Sequence, residues 1–190
     1  AQAVGLNVTV YVLSDPEDLK DNAFTAYRDY IKAKGVIMPF KADSLIKADV
    51  LVDALLGTGL NKAVTGAYAE AIHCINNSQA PVIAVDVPSG LNSDTGNVMG
   101  SAVKAACTVT FIGLKQGLFT GMAPDYCGEI LYSSLAVPKE VFKDVAASVF
   151  RIVKKKFPAR TFRWRHGGNG NRLFQRHQTH SSRNRSERSR

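Results

Sequence analysis

Short apolar runs alternate with segments of helical periodicity along the first 150 residues of the chain. Six runs, many of them rich in β-branched residues, predict β-strands at residues 7–13, 36–40, 49–55, 81–87, 107–113 and 129–134. Several are continuously apolar, which is typical of strands that are covered on both faces.

Two helices are predicted between these strands. Between the first two strands, apolar side chains recur at Ala23, Tyr27 and Tyr30/Ile31; Asp15 is a candidate cap, Pro16 suits the first turn, and Gly35 follows the end. Between the third and fourth strands, the helical face comprises Tyr68, Ala71/Ile72 and Ile75. Strands that alternate with helices favour an α/β fold with a parallel sheet and right-handed crossovers.

Charge divides the chain into two unlike parts. Residues 151–190 contain 13 of the 24 lysines and arginines but only one of the 16 acidic residues, which gives them a formal charge of +12 and leaves −4 on residues 1–150. From residue 175 onward no aliphatic side chain occurs. Such a segment buries too little apolar area to offset its ordering entropy, so we expect a disordered basic tail, produced by truncation or by reading out of frame.

Composition narrows the class of protein further. No apolar run approaches the roughly 18 residues of a membrane-spanning helix, so we expect a soluble protein. The three cysteines, Cys74, Cys107 and Cys127, lie far apart without a metal-ligand spacing. They indicate reduced thiols of an intracellular protein rather than a disulfide framework or a zinc site.

Two predicted strands end in the same way, with an aspartate followed by a glycine-containing loop. Asp53 precedes the loop with Gly57-Thr58-Gly59, and Asp86 precedes the turn with Pro88-Ser89-Gly90. Ligand sites of parallel sheets lie beyond the carboxyl ends of the strands. If the two strands are neighbours, both carboxylates lie at one cleft.

The residues alone leave the chemistry of this cleft open. A Gly-Thr-Gly loop lets backbone N–H groups approach a phosphate, and paired carboxylates suit either acid/base chemistry or a hard cation. Either aspartate could instead simply accept hydrogen bonds from its own turn. Lys115 is interpreted as a solvated loop charge.

Three sequence blocks resemble one family, the YjeF N-terminal domains, which are the NAD(P)H-hydrate epimerases. The blocks are DVLVDALLGTGLN (49–61), APVIAVDVPSGLNSDTG (80–96) and TVTFIGLKQGLFTGMAPDYCGE (108–129). The resemblance covers about residues 1–150. It implies a Rossmann-like three-layer α/β/α sandwich with a mainly parallel sheet, and an isomerase that interconverts the R and S forms of hydrated NADH and NADPH with a bound potassium ion.

The resemblance also implies roles for individual residues. Asp53 and Ser89 match the potassium ligands, and Asp86 matches a substrate-binding acid, to which we assign the proton transfer. The segment that wraps the dinucleotide is matched by Gly57, Thr58, Gly59, Leu60, Asn61, Lys62 and Ala63. A homodimer and a cytoplasmic location (mitochondrial in a eukaryote) are further expectations.

The chain departs from the family pattern at both ends. The family's Asn-Asn-Gly-Gly-Asp-Gly loop and the strand before it have no match, so we expect the first strand and its loop to be missing and the 190-residue chain to be weak or inactive alone. In many bacterial members an ADP-dependent dehydratase domain follows, whereas here the basic tail does. The domain boundaries are therefore predicted as 1–150 and 151–190.

Two other functions remain as alternatives. One is a non-catalytic binding module, because related domains occur in RNA-decapping scaffold proteins; retention of both Asp53 and Asp86 argues for the enzyme instead. The other is a nucleic-acid binder that acts through the basic tail, which ranks last because the tail has few aromatic residues between its charges.

Overall fold

The fold is described from a computed structural model, for residues 1–42, 48–143, 145, 147 and 149–150. Contacts divide the chain into two units, Ala1–Val149 and Phe150–Arg190. The predicted disordered tail of residues 151–190 lies outside the described residues.

All six predicted strands are present, each somewhat shorter than its apolar run. They are β1 (Thr9–Val12), β2 (Val36–Pro39), β3 (Leu51–Asp53), β4 (Val82–Val85), β5 (Cys107–Phe111) and β6 (Glu129–Ser133). All pair in parallel, β1 with β2 in one sheet and β3-β4-β5-β6 in that order in another. The parallel α/β class that the alternating pattern predicts is confirmed.

The helix between β1 and β2 begins later than the sequence predicts. Asp15 does accept a hydrogen bond from Glu17 N at 3.0 Å, but the helix it caps is a short 3₁₀ turn, Pro16–Asp18. Leu19 and Lys20 then adopt extended backbone, so the α-helix itself, α1, runs over Asp21–Lys32. The second helix, α2 (Gly66–Asn77), buries Ala71, Ile72 and Ile75, which confirms the predicted face.

The core lies on one face of the four-stranded sheet. Ile72 and Ile75 of α2 pack with Leu51 of β3 and Val82 of β4. A second cluster, formed mainly by the segments that follow β4 and β5, contains Val87, Leu91, Leu118, Ala123 and Cys127. Burial of both clusters stabilises the strand ends on which the candidate site is built.

The other face of this sheet is less covered than the continuous apolar runs predict. The side chains of Val52, Val85 and Leu131 are exposed there, since they occupy the register positions that alternate with the buried ones. Neither described α-helix is long and apolar enough to cross a membrane.

Candidate functional site

The two aspartates lie at the same edge of the sheet. Asp53 is the last residue of β3 and pairs in register with Ala84 of β4, and Asp86 lies two residues beyond Ala84. The two strands are therefore neighbours, which meets the condition stated for a shared cleft. Asp86 does not continue the strand as predicted, because its φ of 70° turns the chain out of extended backbone.

Asp53 belongs to a buried network with Ser89. Each of the two residues is only 1% exposed. Ser89 N donates to Asp53 Oδ2 at 2.8 Å, and Ser89 Oγ donates to Oδ1 at 2.6 Å. Leu55 N, at 3.3 Å from Oδ1, completes the set. Burial raises the pKa of Asp53 above its ordinary value, and the hydrogen bonds from Ser89 and Leu55 offset this only in part.

The surroundings of Asp53 fit a hard monovalent cation. Ser89 Oγ accepts from Leu56 N at 2.8 Å and lies 3.2 Å from Leu56 O, so a carboxylate, a hydroxyl and a carbonyl oxygen meet here. Oxygen donors suit hard cations, and one carboxylate balances one positive charge. A cation would also favour the ionised form that burial disfavours. In the described part of the chain, no cluster of three His, Cys, Asp or Glu side chains could hold a metal.

The loop after Asp53 is joined to the loop after Asp86. Asn92 Nδ2 donates to Leu60 O and Ser93 Oγ donates to Thr58 O, both at 3.2 Å. A groove of about 190 Å³ is lined by Leu56, Gly57, Gly59, Leu60, Asn61 and Lys62. A Cβ at Gly57 or Gly59 would meet no protein atom within 4 Å, so packing within the protein does not account for these glycines.

Asp86 is paired with Lys115. The interpretation of Lys115 as a solvated loop charge is therefore wrong. Asp86 Oδ1 accepts hydrogen bonds from Lys115 Nζ, from Thr110 Oγ1 and from Phe111 N, the last two at 3.1 Å. The Lys115 side chain is 20% exposed and that of Asp86 is 25% exposed. Partial burial raises the pKa of Asp86, but the hydrogen bonds and the Lys115 charge outweigh it, so this pKa lies below its ordinary value.

The path of the chain after β5 explains why Lys115 reaches Asp86. Ile112 has a φ of 63°, and Gly113 N donates to Phe111 O at 2.6 Å, so the chain turns sharply at the end of the strand. This turn brings the lysine back to the end of the neighbouring β4. The signal in the sequence is that Lys115 follows closely after a strand predicted to end at the same edge.

The site therefore has two parts. In one, Asp53, Ser89 and the backbone of Leu56 gather oxygen atoms; in the other, Asp86 is held by Lys115 and the end of β5. No hydrogen bond joins the two aspartates among the described residues, because each binds its own partners.

Comparisons with known proteins show which family the chain resembles. Residues 2–117 match the family described as YjeF-related protein N-terminus. A bifunctional NAD(P)H-hydrate repair enzyme Nnr of Vibrio cholerae is 43% identical over 142 residues, which make up 75% of this chain and 28% of that protein. Another, from Coxiella burnetii, is 45% identical over 141 residues, 74% of this chain and 29% of that protein.

The match covers a larger share of another relative. The NAD(P)H-hydrate epimerase of Limosilactobacillus reuteri is 41% identical over 132 residues, which make up 68% of this chain and 61% of that protein. The chain thus spans less than two thirds of the length of each of these curated relatives.

Proposed function

The chain belongs to the family of YjeF-related N-terminal domains, and on that premise we propose that it interconverts the R and S epimers of hydrated NADH and NADPH. The observation that carries the proposal is the Asp86–Lys115 pair at the carboxyl end of β4, the strand next to β3, which the Gly57–Ala63 loop follows. Relatives at about 40% identity are named for this activity or for repair of the same substrate.

Asp86 is the proposed proton-transfer group. The hydrated ring carries a hydroxyl on C6, next to the ring nitrogen N1. When Asp86 removes the hydroxyl proton, the C6–N1 bond can break to leave an aldehyde at C6, and N1 takes up the proton. Closure on the opposite face of the aldehyde reverses each transfer, so Asp86 ends the cycle ionised. A carboxylate whose pKa lies below its ordinary value starts that cycle in the form that accepts a proton.

We assign the potassium ion to Asp53 and Ser89. The carboxylate, hydroxyl and carbonyl oxygens that meet there, with a single negative charge among them, support a monovalent cation. A bound ion would hold the ends of the two site loops and the substrate phosphates rather than activate the ring. The loop Gly57–Ala63 is the proposed cradle of the dinucleotide, since the space beside Gly57 and Gly59 lets backbone N–H groups approach a phosphate.

The test is an epimerisation assay on the chain and on any longer natural product of the same gene. A dehydratase that acts on a single epimer first consumes that epimer from a mixture of the R and S forms of hydrated NADH or NADPH. Chiral chromatography then follows the epimer that remains. The proposal expects the remaining epimer to be drawn down faster when the protein is added. A rate equal to the rate without protein, in both preparations and with potassium present, would overturn it.

A further inference from the structure

All hydrogen bonds that the Asp86 side chain receives end on one of its oxygens. Oδ1 accepts from Thr110 Oγ1, Phe111 N and Lys115 Nζ, whereas Oδ2 has no hydrogen-bond partner among the described residues. The carboxylate is therefore anchored through Oδ1 and offers Oδ2 to a ligand.

Lys115 is itself held by a complete set of acceptors. Besides Asp86 Oδ1, its ammonium donates to Thr110 Oγ1 at 3.3 Å and to Phe111 O at 2.9 Å. An ammonium has three N–H donors, and these three acceptors use all of them. No donor of Lys115 is left for a substrate, so any effect of this lysine on the reaction passes through Asp86.

The backbone at both strand ends adopts conformations that are unfavourable for residues other than glycine. Asp86 has a φ of 70° and Ile112 a φ of 63°, in the left-handed region that residues with a Cβ adopt less often than glycine does. Asp86 N donates to Val109 O at 2.8 Å, which ties this strained residue to β5. The strained backbone conformations at Asp86 and Ile112 thus occur where the Asp86 carboxylate is held in one orientation.

We infer that Lys115 is a positioning residue, which fixes Asp86 through Oδ1 so that Oδ2 is the oxygen that exchanges the proton with the hydrated ring. The inference rests on the proposed function, in which Asp86 transfers that proton. In this role Lys115 acts only through Asp86 and makes no contact with the substrate. Among the described residues it is the only charged side chain that pairs with the Asp86 carboxylate, whose other hydrogen bonds come from Thr110 Oγ1 and the Phe111 backbone.

The kinetic test compares Lys115→Met with Lys32→Met. Lys32 also pairs with an aspartate, Asp29 at 3.5 Å, but both partners are well exposed, at 69% and 66%, and lie on α1. A misplaced general base costs on the order of 10–100-fold in kcat. We therefore expect Lys115→Met to lose that much kcat while its KM stays within about threefold of the wild-type value. Lys32→Met should leave both constants unchanged. Propylamine should restore part of the kcat of Lys115→Ala, whereas potassium chloride at equal ionic strength should not.

Other kinetic outcomes overturn the inference. An unchanged kcat in Lys115→Met would show that Asp86 needs no such support. A raised KM with unchanged kcat would place Lys115 on the substrate instead. Loss of kcat without amine rescue, together with a lowered melting temperature, would reduce the role of Lys115 to the stability of the fold.

A second measurement uses the wild-type chain alone, without substrate and without any substituted variant. In wild-type chain labelled with ¹³C at aspartate carboxyls, the Asp86 signal should titrate below the ordinary pKa of 3.8, because Lys115 stabilises the ionised form. Titration at or above 3.8 would overturn the pairing. If the wild-type chain titrates as expected but epimerises nothing, the proposed function fails for the chain while the placement of Lys115 stands.

Discussion

Asp53 and Asp86 stand at the ends of two neighbouring strands, in the similar sequences Leu-Val-Asp and Ala-Val-Asp, yet their carboxyl groups have opposite electrostatic surroundings. Asp53 is buried against Ser89, and burial raises its pKa. Asp86 is partly exposed and contacts Lys115, so its pKa is lowered. Two carboxylates with pKa values pushed apart are suited to different tasks.

Replacing Asp86 by Asn tests its role as the proton-transfer group. We expect kcat to fall on the order of 10²-fold or more, since an amide keeps the shape but accepts no proton at this position. Asp94→Asn is the matched control, because Asp94 is an exposed carboxylate in the same loop and should leave kcat unchanged. Steady-state epimerisation and circular dichroism are measured for both. An Asp86→Asn variant that turns over like the wild type would move the chemistry to another group.

Replacing Asp53 by Asn tests the cation site. The amide removes the only charge among the three oxygen donors, so we expect the potassium concentration for half-maximal activity to rise on the order of 10-fold or more. Potassium should also raise the melting temperature of wild type and of Asp86→Asn, but not of Asp53→Asn, because an ion that binds only the folded state stabilises it. Equal stabilisation of all three proteins, or equal effects of potassium and sodium, would contradict this assignment.

At the scale of elements, the turn after β4 depends on a close approach of backbones. Gly90 has a φ of 91°, and a Cβ there would lie 1.8 Å from Ser101 O. Val103 N donates to Ser89 O and Met99 N to Gly90 O, both at 2.8 Å, so this approach is hydrogen-bonded on either side. The turn thereby presents Ser89 to Asp53.

Gly90→Ala should therefore destabilise the fold more than an ordinary glycine substitution does. Positive φ and the contact with Ser101 O together predict a loss of at least about 2 kcal/mol in the free energy of unfolding. Gly113→Ala is the control, since a Cβ at Gly113 meets nothing within 4 Å. Urea denaturation measures both variants. Equal losses in the two would show that the turn relaxes at little cost.

The sequence predicts the loops that follow Asp53 and Asp86, but it does not predict the hydrogen bonds that join one loop to the other. In each case, an aspartate at the end of an apolar run and the glycines that follow it predict a loop. The hydrogen bonds from Asn92 to Leu60 and from Ser93 to Thr58 join residues more than 30 positions apart, which no local pattern encodes.

At the scale of the molecule, the two sheets differ in how well they are covered. Among the described residues, none in 1–42 is fully buried, whereas β4 and β5 bury Val82, Ala84, Thr108 and Thr110. In the described part of the chain, β1 pairs only with β2, and β3 pairs only with β4. Strands β1 and β3 therefore each have one edge without a partner strand there. Few buried contacts and open edges favour local opening.

Hydrogen exchange followed by mass spectrometry tests this difference in cover. Amides of β1, α1 and β2 should exchange faster than those of β4 and β5, because less burial opposes their opening. The α2 peptides, with three buried side chains, serve as an internal reference for a protected helix. Protection of β1 and β2 equal to that of β4 and β5 would show that another part of the protein covers them in solution.

The sequence by itself determined the kinds and order of the elements, because apolar spacing and glycine placement act over a few residues. It also marked Asp53, Asp86 and Ser89, because each stands in a motif. Tertiary structure alone decided the pairing of Lys115 with Asp86 and the difference in burial between Asp53 and Asp86. It also decided that one face of the four-stranded sheet is incompletely covered. These depend on which distant segments meet in space, and a contact's free energy is set by its surroundings rather than by residue type.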